Sequence, residues 1–188
     1  MSRIIPLRWL IPLLVLGLGL IITVVTGFRN YLYVRHETED LTKRRALAAG
    51  HLITPEIERG LNDHDPVMID EQLHNLLLLP NMLNVFLLDE HDVVLHSSER
   101  DFIGLPVTKT PAAEFTEHIE RARRRMNAKT ATSADHDHAA ALLPIHMPLH
   151  PGELSPTATG ILFVQFDLRG PMREALQNIL QSAYLTTG

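Results

Sequence analysis

Cysteine is absent from the 188-residue sequence. The protein therefore has no disulfide, no thiolate metal ligand and no cysteine nucleophile, although this absence leaves the cellular compartment open. Motifs of common enzyme classes are also missing, because the sequence contains no G-x-S-x-G, Walker loop, G-x-G-x-x-G or H-E-x-x-H. No pair of carboxylates lies in an apolar segment of the kind that favours acid–base catalysis. We therefore expect a protein that is not an enzyme and that carries no cofactor.

Charge is missing from one long segment near the N-terminus. No charged residue occurs from Trp9 to Phe28, and a helix of about 20 apolar residues spans about 30 Å, the hydrocarbon thickness of a bilayer. We predict that residues 1–28 form a short cytoplasmic tail and an uncleaved membrane anchor. The alternative is a secretory signal with Arg3 and Arg8 as its charged region, but no A-x-A-like cleavage site follows.

The remainder of the chain lacks an excess of basic residues. Residues 29–188 carry 15 basic and 22 acidic side chains, a formal net charge of −7. This charge argues against nucleic acid as a partner, because nucleic acid requires a basic face. Several basic residues directly after the anchor slightly favour a cytoplasmic position for this part, but long domains translocate regardless of such a bias.

Apolar periodicity predicts an α+β domain in residues 29–188. A long helix is expected over Asn30–Gly60 and a shorter one over Val67–Leu79, and the small polar residues Asn127–Ala139 indicate an exposed loop. The other predicted elements are a hairpin (Val85–Leu88 and Val93–Leu95), a helix starting at Pro111 with Thr110 as N-cap, two strands (Ala141–Met147 and Gly160–Leu168) joined by a proline-rich loop, and a final helix (Pro171–Tyr184). We expect a small antiparallel sheet with the helices collected on one side.

The long helix also suggests self-association. Val34, Leu41 and Ala48 recur every seven residues, which is the spacing of a weak coiled-coil seam. We therefore predict a parallel homodimer.

Two clusters of functional side chains have competing interpretations. Arg121 and Arg123–Arg125 crowd the end of a predicted helix, where they either complement the helix dipole, which we favour, or form an anion- or membrane-binding patch.

Histidine is abundant, with 11 residues, and four lie close together: His136, His138, His146 and His150. Imidazole suits Zn, Ni or Cu(II), but this spacing matches no standard closed site. We predict a solvated loop without a metal, and a histidine-loop metal sensor is the alternative.

Two stretches of the sequence resemble a known class of receptor domain. "VFLLDEHDVVLHSSERDFIGLPV", residues 85–107, is similar to the central hairpin of PAS-like or Cache-type extracytoplasmic sensor regions in bacterial transmembrane signalling proteins. In that hairpin an aspartate ends the first strand, and an isoleucine-glycine pair follows the second. "GILFVQFDLRGPM", residues 160–172, is similar to the last strand and the turn that leaves it. The turn Glu90-His91-Asp92 departs from the many members that carry glycine there.

The resemblance implies a fold, a function and candidate site residues. Residues 29–188 would form a sensor domain outside the cytoplasm, with the ligand pocket between the sheet and the loop after the second strand. In the related citrate and dicarboxylate sensors, a histidine and basic residues in this region hold substrate carboxylates. His96, Arg100 and Lys109 are therefore the candidate ligand-binding residues, for a small molecule such as a carboxylate, unless they are ordinary surface groups.

The resemblance further implies that a longer natural chain follows Gly188. It would contain a second membrane helix and a kinase, a cyclic-dinucleotide enzyme or a chemotaxis module. The competing interpretation belongs to another class of protein, a single-span accessory membrane protein whose α+β domain recruits partners and binds no ligand.

Overall fold

The structure is a computed structural model that describes residues 7–148 and 158–170. In the first helix, side chains are described for residues 14–27, 29 and 40–62. Four predicted features lie wholly or partly outside the described residues: the tail and the start of the anchor within residues 1–28, the final helix Pro171–Tyr184, the part of the proline-rich loop that contains His150, and the side chain of Val34.

The chain divides into two units, Met1–Thr38 and Glu39–Gly188. The first unit contains the beginning of helix α1 (Leu7–Asn62), where the large apolar side chains from Leu14 to Val25 are exposed. Within the described residues, no helix combines the length and the hydrophobicity needed to cross a bilayer. The structure therefore does not support the predicted N-terminal membrane anchor.

The helices of the second unit begin and end at residues with clear local roles. Helix α1 ends at Asn62, close to the predicted end. Asp65 then caps α2 (Pro66–Leu77) by accepting hydrogen bonds from two backbone N–H groups, both at 3.1 Å. Pro66 fits the first helical position because it has no N–H to leave unpaired. The helix predicted over Val67–Leu79 is confirmed, with its end two residues earlier.

Thr110 is confirmed as an N-cap. Its hydroxyl accepts a hydrogen bond from the backbone N–H of Ala112 at 3.2 Å. The turn that follows, Pro111–Phe115, is a 3-10 helix, and α3 (Thr116–Arg125) continues from it. Two further 3-10 turns precede this helix, at Arg100–Phe102 and Val107–Lys109.

Five strands form one antiparallel sheet in the described part of the chain. They are β1 (Met82–Leu88), β2 (Val94–Ser97), β3 (Lys129–Thr132), β4 (His138–His146) and β5 (Thr159–Asp167). Their order across the sheet is β2-β1-β5-β4-β3. The sheet confirms the predicted α+β class, and β1, β2, β4 and β5 confirm the four predicted strands.

The fifth strand, β3, corrects the predicted loop over Asn127–Ala139. Lys129–Thr132 pairs residue by residue with Ala139–Leu142 of β4. Only Ala131 of β3 is buried, so the strand has almost no apolar alternation of its own. Its conformation depends on hydrogen bonds to β4, and such long-range pairing overrides the local preference of small polar residues for loops.

Helices cover both faces of the sheet, which corrects the expectation that they lie on one side. Leu162 and Val164 of β5 pack with α1 and α2, whereas Ile161 and Phe163 pack with Ile119 of α3. Successive residues of β5 therefore alternate between two buried faces of the sheet. A strand buried on both faces must carry apolar residues at nearly every position, as β5 does.

Candidate functional site

A cleft of about 290 Å³ that is open to solvent lies in the second unit, and we call it the α1–α2 cavity. The end of α1, the start of α2, strand β2 and the residues after β4 line it: Gly60, Leu61, His64, Asp65, Pro66, Ile69, Leu95, His96, Met147 and Pro148. Most of these side chains are apolar. Its volume is just below the ~300–1,000 Å³ that is typical of small-molecule sites.

The tight connection between α1 and α2 shapes one wall of the cavity. His64 has the left-handed backbone angle φ of 55°, and the backbone N–H of Asp65 donates to the carbonyl of Gly60 at 2.9 Å. A Cβ at Gly60 would lie 2.8 Å from Cγ1 of Ile69, so glycine lets α2 approach the end of α1. The two helices therefore meet without spare space beside the cavity.

His96 is the candidate ligand residue that the structure places in the cavity. Its side chain is 19% exposed, and its Nδ1 lies 2.8 Å from Oδ1 of Asp70 on α2. Because a carboxylate accepts hydrogen bonds, Nδ1 of His96 is the donor. In the neutral imidazole, Nε2 is then an acceptor. The pair also ties β2 to α2 at the cavity wall.

A second imidazole, His64, was not predicted as a site residue. Its Nδ1 lies 3.1 Å from the backbone carbonyl oxygen of Asn62, so by the same argument Nδ1 donates and Nε2 of the neutral ring accepts. The sequence marks this segment as a helix end followed by an N-cap. It does not show that the segment lies beside β2, since that contact joins residues far apart in the chain.

Arg100 and Lys109 lie elsewhere. Both side chains are exposed, at the start of one 3-10 turn and at the end of the other, and neither lines the α1–α2 cavity. The structure therefore brings His96 to a cavity but does not bring the two basic residues with it. Their role in binding stays a prediction.

Aromatic side chains fill the space between the sheet and α3, on the face where the resemblance implied a pocket. The rings of Phe86 and Phe163 stack with centroids 4.6 Å apart, and those of Phe115 and Phe163 are 5.7 Å apart. Phe102, from the segment after β2, meets Phe86 edge-on at 6.2 Å. Phe86, Phe115 and Phe163 are almost fully buried, so the described residues form a packed core here.

The arginines at the end of α3 have different environments. Arg121 and Arg124 form ion pairs with Glu117 and Glu120, one helical turn earlier. Arg123 is only 17% exposed and binds three groups on other elements: the carbonyl oxygens of Thr159 (3.0 Å) and Asp89 (2.9 Å) and the carboxylate of Asp92 (2.7 Å). Arg123 therefore joins α3 to the β1–β2 turn and to β5, a role that sequence reasoning missed.

The clustered histidines also have different environments. His136 is exposed in the β3–β4 turn, His146 is exposed at the end of β4, and His138 is half-buried with no hydrogen-bond partner for Nδ1 among the described residues. Within the described ranges, no group of three or more His, Asp or Glu side chains could hold a metal ion. His150 lies outside them.

Comparison with known proteins gives the fold. No family model and no curated protein matches the chain. Among solved structures, the sensor domain of Escherichia coli DcuS aligns with 74% of this chain and 98% of its own, with a TM-score of 0.52 and 15% sequence identity. The chain therefore shares the fold of that domain. The similarity confirms, at the level of the fold, the resemblance seen in the hairpin over residues 85–107.

A second solved structure is less similar. The extracellular ligand binding receptor from Desulfohalobium retbaense DSM5692 has a TM-score of 0.46 and 11% identity, over 73% of this chain and 25% of the receptor chain. That similarity is too low to bear on the fold or the site of the present chain.

Proposed function

We propose that this protein is a sensor input domain that binds a small molecule in the α1–α2 cavity and catalyses no reaction. The observation that carries the proposal is the cavity, which combines an apolar lining with a few polar groups, as small-molecule sites do. The PAS-like fold shared with the DcuS sensor domain supports it. We also propose that the domain functions outside the cytoplasm.

The position of the cavity suggests how occupancy would be transmitted. Gly60 and Leu61 belong to the last turns of α1, and Ile69 belongs to the first turns of α2. Because the Gly60–Ile69 approach leaves no spare space, a ligand that displaces α2 must also displace the end of α1. Shifts of about 1–2 Å between packed helices are typical of such switches. Helix α1 is then the output element toward an attached signalling module.

Among the predicted ligand residues, we propose His96 as a cavity residue. A carboxylate held by Arg100 and Lys109 would occupy a different site, since neither residue lines the α1–α2 cavity. The two sites are separable by experiment. Substitutions in the wall of the α1–α2 cavity should change the affinity for a ligand bound there. They should not change the affinity for a ligand held by Arg100.

The test is a thermal-shift screen of small acids, amines and neutral molecules against the full chain. We expect at least one compound to stabilise the protein, by about 2.7 kcal/mol at a hundredfold excess over its Kd. Leu95→Trp, which fills the cavity from β2, should remove this effect. Leu83→Trp is the matched control, because Leu83 is a 41% exposed residue of β1 that does not line the cavity.

Two results contradict the proposal. If no compound stabilises the chain, the accessory-protein interpretation gains support. If the stabilising compounds act equally on the wild type and on Leu95→Trp, the binding site is not the α1–α2 cavity.

We also propose a homodimer formed through α1. Leu41 is 49% exposed, Ala48 is exposed and Leu52 is 78% exposed. With Leu41 and Ala48 at d positions of a heptad, Leu52 falls at an a position. This exposed stripe supports a second copy of α1 as the partner.

A further inference from the structure

Resting on the proposed sensor function, we propose that the α1–α2 cavity binds an organic cation, a small ammonium compound with an apolar body, and that it excludes carboxylates. Three features of the lining lead to this ligand class. They are the hydrogen-bond acceptors at its wall, the lack of a free N–H donor at the N-terminus of α2, and the negative charge of the lining.

Three polar side chains line the cavity, His64, Asp65 and His96, and their described hydrogen bonds leave each of them an acceptor. Nδ1 of His96 donates to Asp70 and Nδ1 of His64 donates to Asn62, so each neutral ring keeps an acceptor at Nε2. Oδ1 of Asp65 accepts both capping hydrogen bonds, and Oδ2 has no hydrogen bond to a described residue. Acceptors at two imidazoles and a carboxylate match a ligand that donates hydrogen bonds, as an ammonium does.

The N-terminus of α2, often an anion site, offers no free donor here. Pro66 has no N–H, and the N–H groups of Val67 and Met68 donate to the Asp65 side chain. The N–H of Ile69 donates to the Asp65 carbonyl oxygen at 3.4 Å. An anion bound at a helix N-terminus needs backbone N–H groups that point at it, and the Asp65 carboxylate already occupies that position.

Charge at the wall is negative. None of the ten lining residues is Lys or Arg, Asp65 lines the cavity, and Asp70 lies directly behind His96. A carboxylate ligand would meet like charge without a Lys or Arg partner, although Asp65 is exposed and the side chain of Asp70 is 56% exposed, so solvent weakens this repulsion. A cation gains from both carboxylates.

The rest of the lining sets the shape of the ligand. Leu61, Ile69, Leu95 and Met147 supply an apolar surface, which favours burial of an apolar body by about 25 cal/mol per Å². The occupant therefore needs one polar end and one apolar end.

Benzylammonium, benzyl alcohol and benzoate are suitable probes, because they share one apolar body and differ in the charge of the polar end. We expect isothermal titration of the full chain to give the highest affinity for benzylammonium and no measurable binding of benzoate. Leu95→Trp should abolish the binding of benzylammonium, and Leu83→Trp should leave it unchanged.

Asp65→Asn separates charge from folding, because asparagine is an equally good N-cap. We expect this variant to weaken benzylammonium about threefold to tenfold, as for a partly exposed charge-assisted contact, and to leave benzyl alcohol unchanged. Asp63→Asn is the control for net charge, since Asp63 is exposed and does not line the cavity.

The outcomes distinguish this inference from the proposed function. Benzoate binding that is lost in Leu95→Trp would overturn the cation class and leave the sensor proposal intact. Equal affinity for benzyl alcohol and benzylammonium, or an equal effect of Asp63→Asn and Asp65→Asn, would also overturn it. If none of the three probes binds, the inference fails, and the broader screen alone decides the proposed function.

Discussion

Arg123 shows that the role of a residue depends on its position in the fold as well as on its residue type. Its hydrogen bonds reach groups 31 to 36 residues away in sequence. The neighbouring Arg124 is 71% exposed and pairs within its own helix. The sequence predicts a cluster of arginines at a helix end, but not that one of them binds a turn of the sheet. That difference is set by the position of α3 on the sheet, which no local pattern encodes.

At the scale of the residue, we predict that Arg123→Ala lowers the free energy of unfolding by about 2 kcal/mol. The substitution leaves two carbonyl oxygens and the half-buried carboxylate of Asp92 without this donor, and groups left unpaired in this way cost about 1–3 kcal/mol. Urea denaturation of the full chain measures the change. Arg124→Ala should cost less than about 1 kcal/mol, because exposed ion pairs contribute little. Equal losses in the two variants would show that Arg123 is not a structural link.

At the scale of the element, the sequence predicts structure well where apolar periodicity is strong. The end of α1, helix α2, the Thr110 cap and four of the five strands follow from local residues. Strand β3 does not, because its sequence, Lys129–Thr132, contains a single buried side chain. The placement of α3 opposite α1 and α2 is also not local, since an amphipathic helix shows that it packs on a sheet but not on which face.

Helix α1 and strand β4 meet at a glycine, and this contact gives a prediction. A Cβ at Gly50 would lie 2.7 Å from Cδ1 of Leu143, which is 1% exposed. Gly50→Ala gains up to about 1 kcal/mol of helix propensity, but overpacking a core typically costs about 1–3 kcal/mol. We expect a net loss of about 1 kcal/mol in unfolding free energy.

A double-mutant cycle isolates the steric part of this effect. In a Leu143→Ala background the clash is removed, so Gly50→Ala should become neutral or stabilising, measured by urea denaturation. If Gly50→Ala destabilises both backgrounds equally, the close approach of α1 to β4 is not the cause.

At the scale of the whole molecule, the candidate site was only partly predictable. His96 was selected from a resemblance and does line a cavity, but the cavity lies on the α1 and α2 side of the sheet. The side facing α3, where the resemblance implied a pocket, is filled by Phe86, Phe115 and Phe163. Aromatic residues at inward strand positions indicate a core. Whether a core leaves a pocket depends on side chains from several elements.

The absence of cysteine makes the proposed dimer directly testable, because each engineered cysteine is the sole thiol in the chain. In a parallel coiled coil, residues at the same a or d position in two subunits face each other. We predict that Leu52→Cys and Ala48→Cys form disulfide-linked dimers on mild oxidation, visible on a non-reducing gel. A disulfide requires Cα atoms within about 7 Å, so a link reports a specific pairing.

Leu78→Cys provides the control, since Leu78 is 70% exposed but follows α2 and lies away from the heptad. It should form no disulfide-linked dimer under the same oxidation. Equal crosslinking of Leu52→Cys and Leu78→Cys would indicate random collision, and no crosslinking at Ala48 and Leu52 would exclude the seam. A dimer through α1 would connect the cavity to the second subunit, because the last turn of α1 contains Gly60 and Leu61 at the cavity wall and the same helix would contact the other copy. Ligand binding could then change how the two copies of α1 pack.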